Sequence, residues 1–124
     1  LFKKGLNINP LEWFEVIAHG GCTSQKKPSP EIYLWALEKL KLHPNSCLAM
    51  EDAPRGVQSA ISAGLNVVVT PSTYTKNEKF KNVNLILSNL GEPKKPFEVI
   101  KGETYKHSYV SLEMLEKFHK AFIK

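Results

Sequence analysis

Short apolar runs alternate with amphipathic stretches along this chain, and that alternation predicts its elements. Cys47-Leu48-Ala49-Met50 and Asn66-Val67-Val68-Val69-Thr70 read as strands buried on both faces, since each is a continuous apolar run bounded by turn or acidic residues. Asn84-Leu85-Ile86-Leu87 predicts a shorter strand at the edge of the same sheet. Phe14 to His19 alternates and runs into Gly20-Gly21, which predicts a further strand ending in a loop. Between these runs the period changes. Tyr33, Ala36, Leu37 and Leu40 fall at helical spacing and predict a helix from Pro30 to Lys41, with Ser29 as its cap, Pro30 at the first helical position and Glu31 in the first turn. Pro54 opens a second helix that carries Val57, Ala60 and Ile61 on one face and stops at Gly64. The order βαβαβ, followed by a small edge strand, calls for an α/β fold with a parallel sheet.

From Gly91 to Lys106 the sequence turns to Pro, Lys and Glu without a sustained period. Beyond it, Ser111 caps a final predicted helix in which Leu112, Leu115, Phe118 and Phe122 share a face. The boundary is drawn after residue 97, with a core over 1–97 and a C-terminal extension with its helix over 98–124. A chain of 124 residues with 42% hydrophobic and 23% charged residues suits one modest globular domain. No apolar run approaches the roughly 18 residues of a membrane span, so no membrane partner is expected. The chain begins at Leu1 with no charged and apolar leader behind it, and reads as an internal stretch of a longer protein.

The net charge of +5 rests on sixteen Lys and a single Arg, Arg55. The lysines are scattered among glutamates with no run longer than a pair, which is not the clustered Arg and Lys surface of a nucleic-acid reader. The excess suits anionic small molecules instead. Cys22 and Cys47 fit free thiols in a reducing compartment, cytoplasm or plastid stroma. His19-Gly-Gly-Cys22 and His43-Pro-Asn-Ser-Cys47 offer zinc-like ligands, but one pair follows a strand and the other precedes one, which places them at opposite ends of a parallel sheet.

Ligands of open parallel sheets bind at the carboxyl ends of the strands. Glu51 and Asp52 stand at such an end, before a helix, and two adjacent carboxylates there suit a hard cation such as Mg²⁺. The plainer alternative is that Asp52 caps the helix opening at Pro54 and Glu51 is solvated. Lys27, alone, is an ordinary loop lysine.

Taken together, these residues carry a resemblance. Lys27-Pro28-Ser29-Pro30-Glu31-Ile32-Tyr33, followed some twenty residues later by Glu51-Asp52-Ala53-Pro54-Arg55-Gly56-Val57, resembles the third and fourth motifs of the haloacid dehalogenase-like hydrolase superfamily, and more narrowly its β-phosphoglucomutase and CbbY-like branch. Val67 to Ser72 and Leu85 to Pro93 are similar to the same branch, so the likeness runs from about Phe14 to Pro93. It implies a Rossmann-like three-layer α/β/α core, of which this chain is the C-terminal half. Lys27 is then the catalytic lysine that steadies a nucleophilic carboxylate and the transferring phosphoryl group. Asp52 is then a Mg²⁺ ligand, with Glu51 a further ligand directly or through water. Arg55 and Gly56 belong to the turn behind the metal, where an exposed side chain and a close packing point are the simpler readings.

The departures are as informative. The family acts through two N-terminal aspartates, one attacking phosphorus and one serving as acid and base, and Asp52 is the only Asp in this sequence. The motif-two Ser or Thr and the helical cap that selects substrate are also absent. The resemblance therefore implies a Mg²⁺-dependent phosphatase of small phosphorylated sugars in the intact parent, with this chain inactive by itself and dependent on the N-terminal half, or on a partner chain, to complete its sheet. A phosphomutase, or an inert module derived from the same fold, is the alternative. The strand at Phe14 to His19 and that at Cys47 to Met50 would flank the missing central strands, so neither should pair with the other.

Overall fold

The computed structural model describes residues 16 and 18–123. Four strands form one sheet in the order β1-β2-β3-β4, with β1 (Leu48–Glu51), β2 (Asn66–Val69), β3 (Leu85–Leu87) and β4 (Val99–Lys101). β1, β2 and β3 run parallel, with Leu48 opposite Asn66, Glu51 opposite Val69 and Val69 opposite Ile86. The apolar runs thus form the parallel sheet that their lack of alternation predicts, and the fold is α/β and Rossmann-like.

Two features depart from the sequence reading. β3 is interior, not an edge, because β4 pairs antiparallel along its other side. β4 lies within the stretch that shows no period, and its Val99 and Ile100 are 47% and 58% exposed. Of the predicted strand from Phe14 to His19, Val16, Ala18 and His19 carry no strand, and the rest lies outside the described residues. Among the described residues β1 pairs only with β2, so its other edge has no strand beside it.

Helices cover both faces. α1 (Glu31–Leu40) and α2 (Pro54–Ser62) bury Leu37, Val57 and Ala60 against Ala49, Val67, Val69 and Ile86. α3 (Leu112–Ala121) buries Met114 and Phe118 against Val68, Leu85 and Leu87 on the opposite face. Because side chains of a strand alternate between faces, the continuous β2 run serves both layers at once. α2 ends as predicted: Gly64 takes φ 88°, its N–H donates to Ile61 O, and Leu65 N–H reaches back to Ala60 O. α3 is capped by Ser111, whose Oγ accepts from Met114 N–H at 3.2 Å. Its buried face differs from the predicted one, since Leu112 is 73% exposed and Met114 takes the inner position. Beyond residue 97, then, β4 extends the sheet and α3 packs on the layer opposite α1 and α2.

Candidate active site

Glu51 is the last residue of β1, and Asp52 and Ala53 connect it to α2. This strand-to-helix turn forms one wall of a cavity of about 380 Å³, whose lining includes Thr23, Lys27, Glu51, Asp52, Arg55 and Gly56. The lining brings all three residues singled out in the sequence, Lys27, Glu51 and Asp52, to one place. The cavity sits at the carboxyl end of the parallel strands, where the topology places ligands.

The two carboxylates behave differently. Glu51 is not solvated: its side chain is 8% exposed and Oε1 accepts from Lys27 Nζ at 2.7 Å. The Tyr33 hydroxyl donates to the same oxygen. A carboxylate this buried requires such partners, because desolvating an unpaired charge is costly. Lys27 itself is 40% exposed, with its ammonium 5.6 Å from the centroid of the Tyr33 ring. Asp52 is exposed and does not cap α2: the cap position is Ala53, which makes no side-chain bond to the helix. The Asp52 carbonyl accepts from Thr75 Oγ1 at 2.5 Å, which ties the turn to the loop after β2.

Lys27 is delivered by a loop that is anchored at several points. Glu31, in the first turn of α1, accepts from the backbone N–H of Ser24 at 3.0 Å and of Gln25 at 2.9 Å. Ser29 Oγ accepts from Glu31 N–H at 3.3 Å, but α1 starts at Glu31 and its cap position is Pro30, one residue beyond the Ser29 cap that the sequence predicts. Ser59, fully buried on α2, donates from Oγ to Ser29 O at 2.6 Å. Gly56 closes the underside: a Cβ there would lie 2.0 Å from Glu51 Oε2. Its close approach is thus to the glutamate carboxylate, while Arg55 is exposed as the simpler reading holds.

Tyr33, Ser59 and Gly56 in this role were not visible in the sequence. Tyr33 stands in the apolar stripe of α1, and only its hydroxyl hints at a polar partner; Ser59 stands next to Ala60 on the buried side of α2. Burial, then the hydrogen bond to Glu51, then the Glu51 charge, hold the Tyr33 phenol far above its ordinary range, so it remains a donor at neutral pH.

His19 and His43 serve other ends. Each Nδ1 accepts a backbone N–H two residues on, from Gly21 and Asn45, at 3.1 Å. Cys22 and Cys47 are free thiols, and among the described residues no cluster of three or more His, Cys, Asp or Glu could hold a metal. Glu51 and Asp52 together supply two adjacent hard oxygen donors, which fits part of a Mg²⁺ shell.

Residues 2–70 match the haloacid dehalogenase-like hydrolase family. The chain belongs to this family. The narrower likeness to the CbbY branch also holds. Over 107 residues the chain is 37% identical to the protein CbbY (plasmid) of Cupriavidus necator, covering 86% of this chain and 41% of that protein. The structure of CbbY from Rhodobacter sphaeroides in complex with xylulose-(1,5)bisphosphate matches with a TM-score of 0.69 at 37% identity, over 72% of this chain and 40% of that one. β-Phosphoglucomutase from Clostridium difficile shares the fold, with a TM-score of 0.65 at 22% identity over 98% of this chain and 44% of that one. The chain therefore spans less than half the length of these relatives, and covers only part of the family core. Among the described residues, no helix is long and apolar enough to cross a membrane.

Proposed function

We propose that this chain is the C-terminal part of the catalytic core of a Mg²⁺-dependent phosphatase acting on a small phosphorylated sugar. The observation that supports it best is Lys27 Nζ at 2.7 Å from Glu51 Oε1, beside Asp52, on one cavity at the carboxyl end of the sheet. Lys27 places a compact cation where a phosphoryl group and an attacking carboxylate both gain negative charge. Glu51 holds that cation in position, and Asp52, exposed at the rim, is available for metal with Glu51. Mg²⁺, when bound, offsets charge between carboxylates and phosphate. The nucleophilic and acid–base aspartates come from the N-terminal half of the parent chain, or from a partner, since Asp52 is the single Asp here. In that arrangement the attacking carboxylate displaces the sugar oxygen from phosphorus to form an aspartyl phosphate, the acid–base aspartate protonates the leaving sugar hydroxyl, and water then hydrolyses the aspartyl phosphate to carboxylate and inorganic phosphate. The match to a CbbY structure holding xylulose-(1,5)bisphosphate directs the substrate class toward sugar bisphosphates.

The test uses the full-length protein with xylulose 1,5-bisphosphate and Mg²⁺, following released phosphate. Lys27→Ala and Asp52→Asn are each expected to lower release by roughly 10²- to 10³-fold, in line with removal of one preorganised transition-state contact, and chelation of Mg²⁺ should abolish it. Wild-type rates in either variant overturn the site. A full-length protein inert toward every phosphorylated sugar tried favours the inert-module reading instead.

A further inference from the structure

We infer that Tyr33 is a positioning residue of this site: its hydroxyl fixes Glu51 so that one carboxylate oxygen is committed to Lys27 and the other is left for a cation. The inference rests on the reading of Lys27, Glu51 and Asp52 given above and extends it to a residue that the motif spacing did not single out for chemistry.

Both donors to Glu51 converge on Oε1. Lys27 Nζ is 2.7 Å away and the Tyr33 hydroxyl is its second partner, while Oε2 receives no side-chain donor among the described residues. A lysine alone would not enforce this division, because a flexible ammonium can pivot between the two oxygens of a carboxylate at little cost. The phenol is different. It is rigid beyond two torsions and is carried on the first turn of α1, whose start is tied to the Ser24–Gln25 loop through Glu31. Its hydroxyl can therefore meet one oxygen and not the other. The ring also lies beneath the Lys27 ammonium, at 5.6 Å, so the same side chain orients both members of the ion pair.

Gly56 completes the clamp from below, since the space a Cβ would occupy is taken by Oε2. The carboxylate is thus held from three sides, Oε2 is the oxygen without a side-chain donor among the described residues, and Glu51 lines the same cavity as Asp52. Partners of metal-binding carboxylates act in this way generally, and their loss weakens metal affinity without removing a ligand.

The experiment measures Mn²⁺ binding to the full-length protein in the absence of substrate, by the loss of the free-ion electron paramagnetic resonance signal, for wild type, Tyr33→Phe, Tyr33→Leu, Glu51→Gln and Asp52→Asn. Tyr33→Phe keeps the ring and deletes only the hydroxyl. It is expected to weaken Mn²⁺ binding by about 10-fold, with its melting temperature near that of wild type and its substrate KM little changed. A merely packing role gives the opposite order, with Tyr33→Phe binding like wild type and only Tyr33→Leu impaired. That order, alongside weakened Glu51→Gln and Asp52→Asn, overturns the inference and leaves the cation site standing. Unchanged binding in Glu51→Gln and Asp52→Asn overturns both together.

Discussion

Glu51 illustrates what a single side chain owes to residues remote in sequence. Its carboxylate is buried because β1 carries it inward, and it keeps hydrogen-bond partners there because Lys27, 24 residues earlier, and Tyr33, 18 residues earlier, donate to it. Gly56 sets the remaining boundary, and the balance of effects there is testable. Gly56→Ala adds helix propensity of about 1 kcal/mol to α2, yet its Cβ would overlap Glu51 Oε2 and come within 2.4 Å of the carboxyl carbon. The glutamate must swing away from Lys27 and Tyr33, and this consumes the helical gain. The expected result is a melting temperature close to wild type combined with at least a roughly 10-fold loss of phosphate release in the full-length protein, the usual scale for disturbing a ligand's supporting contacts. Equal losses of stability and activity would mean that Gly56 serves packing alone. That Lys27, Glu51 and Asp52 come together is legible in the sequence because two short motifs carry them. The pairing was not, since nothing in spacing says which donor meets which oxygen.

At the scale of elements, legibility followed the strength of the local signal. β1 and β2 were clear because burial on both faces makes their runs continuous, and α2 was bounded by Pro54 at its start and Gly64 past its end. β4 was missed for the converse reason: a short strand with Val99 and Ile100 open to solvent has no apolar face to announce it. The inner face of α3 was misjudged because Leu112 and Met114 are both apolar and only the angle at which the helix packs decides between them. The two positions now separate by experiment. Phe118 is 1% exposed and sits among Val68, Leu85, Leu87 and Met114. Phe118→Ala should cost about 3 to 5 kcal/mol in denaturant unfolding, as deletion of a buried ring does. Leu112→Ala, at an exposed site, should fall within about 0.5 kcal/mol of wild type. Comparable losses at both would mean that α3 is rotated from the arrangement described.

At the scale of the whole molecule, the question is what completes the sheet. β1 presents an edge with no strand beside it among the described residues, and Met50 on that strand is 44% exposed. An open edge carrying an apolar side chain invites pairing, and proteins seldom leave one uncovered next to a functional site. The proposed parent resolves this by setting a strand from its N-terminal half against β1, which also brings the missing aspartates to the cavity beside Lys27. Two consequences follow, each with its own readout. The 124-residue chain alone should release no phosphate, since a single Asp cannot be nucleophile, acid–base and metal ligand at once. Its β1 amides should also exchange with solvent faster than those of β2, which is paired on both sides. In the full-length protein the β1 amides should be protected as strongly as those of β2, because a second strand then holds them. Hydrogen exchange followed by mass spectrometry on both forms separates the cases. Equal β1 exchange in the two forms would mean that the N-terminal half does not pair there, and the aspartates would then have to reach Lys27 by another route.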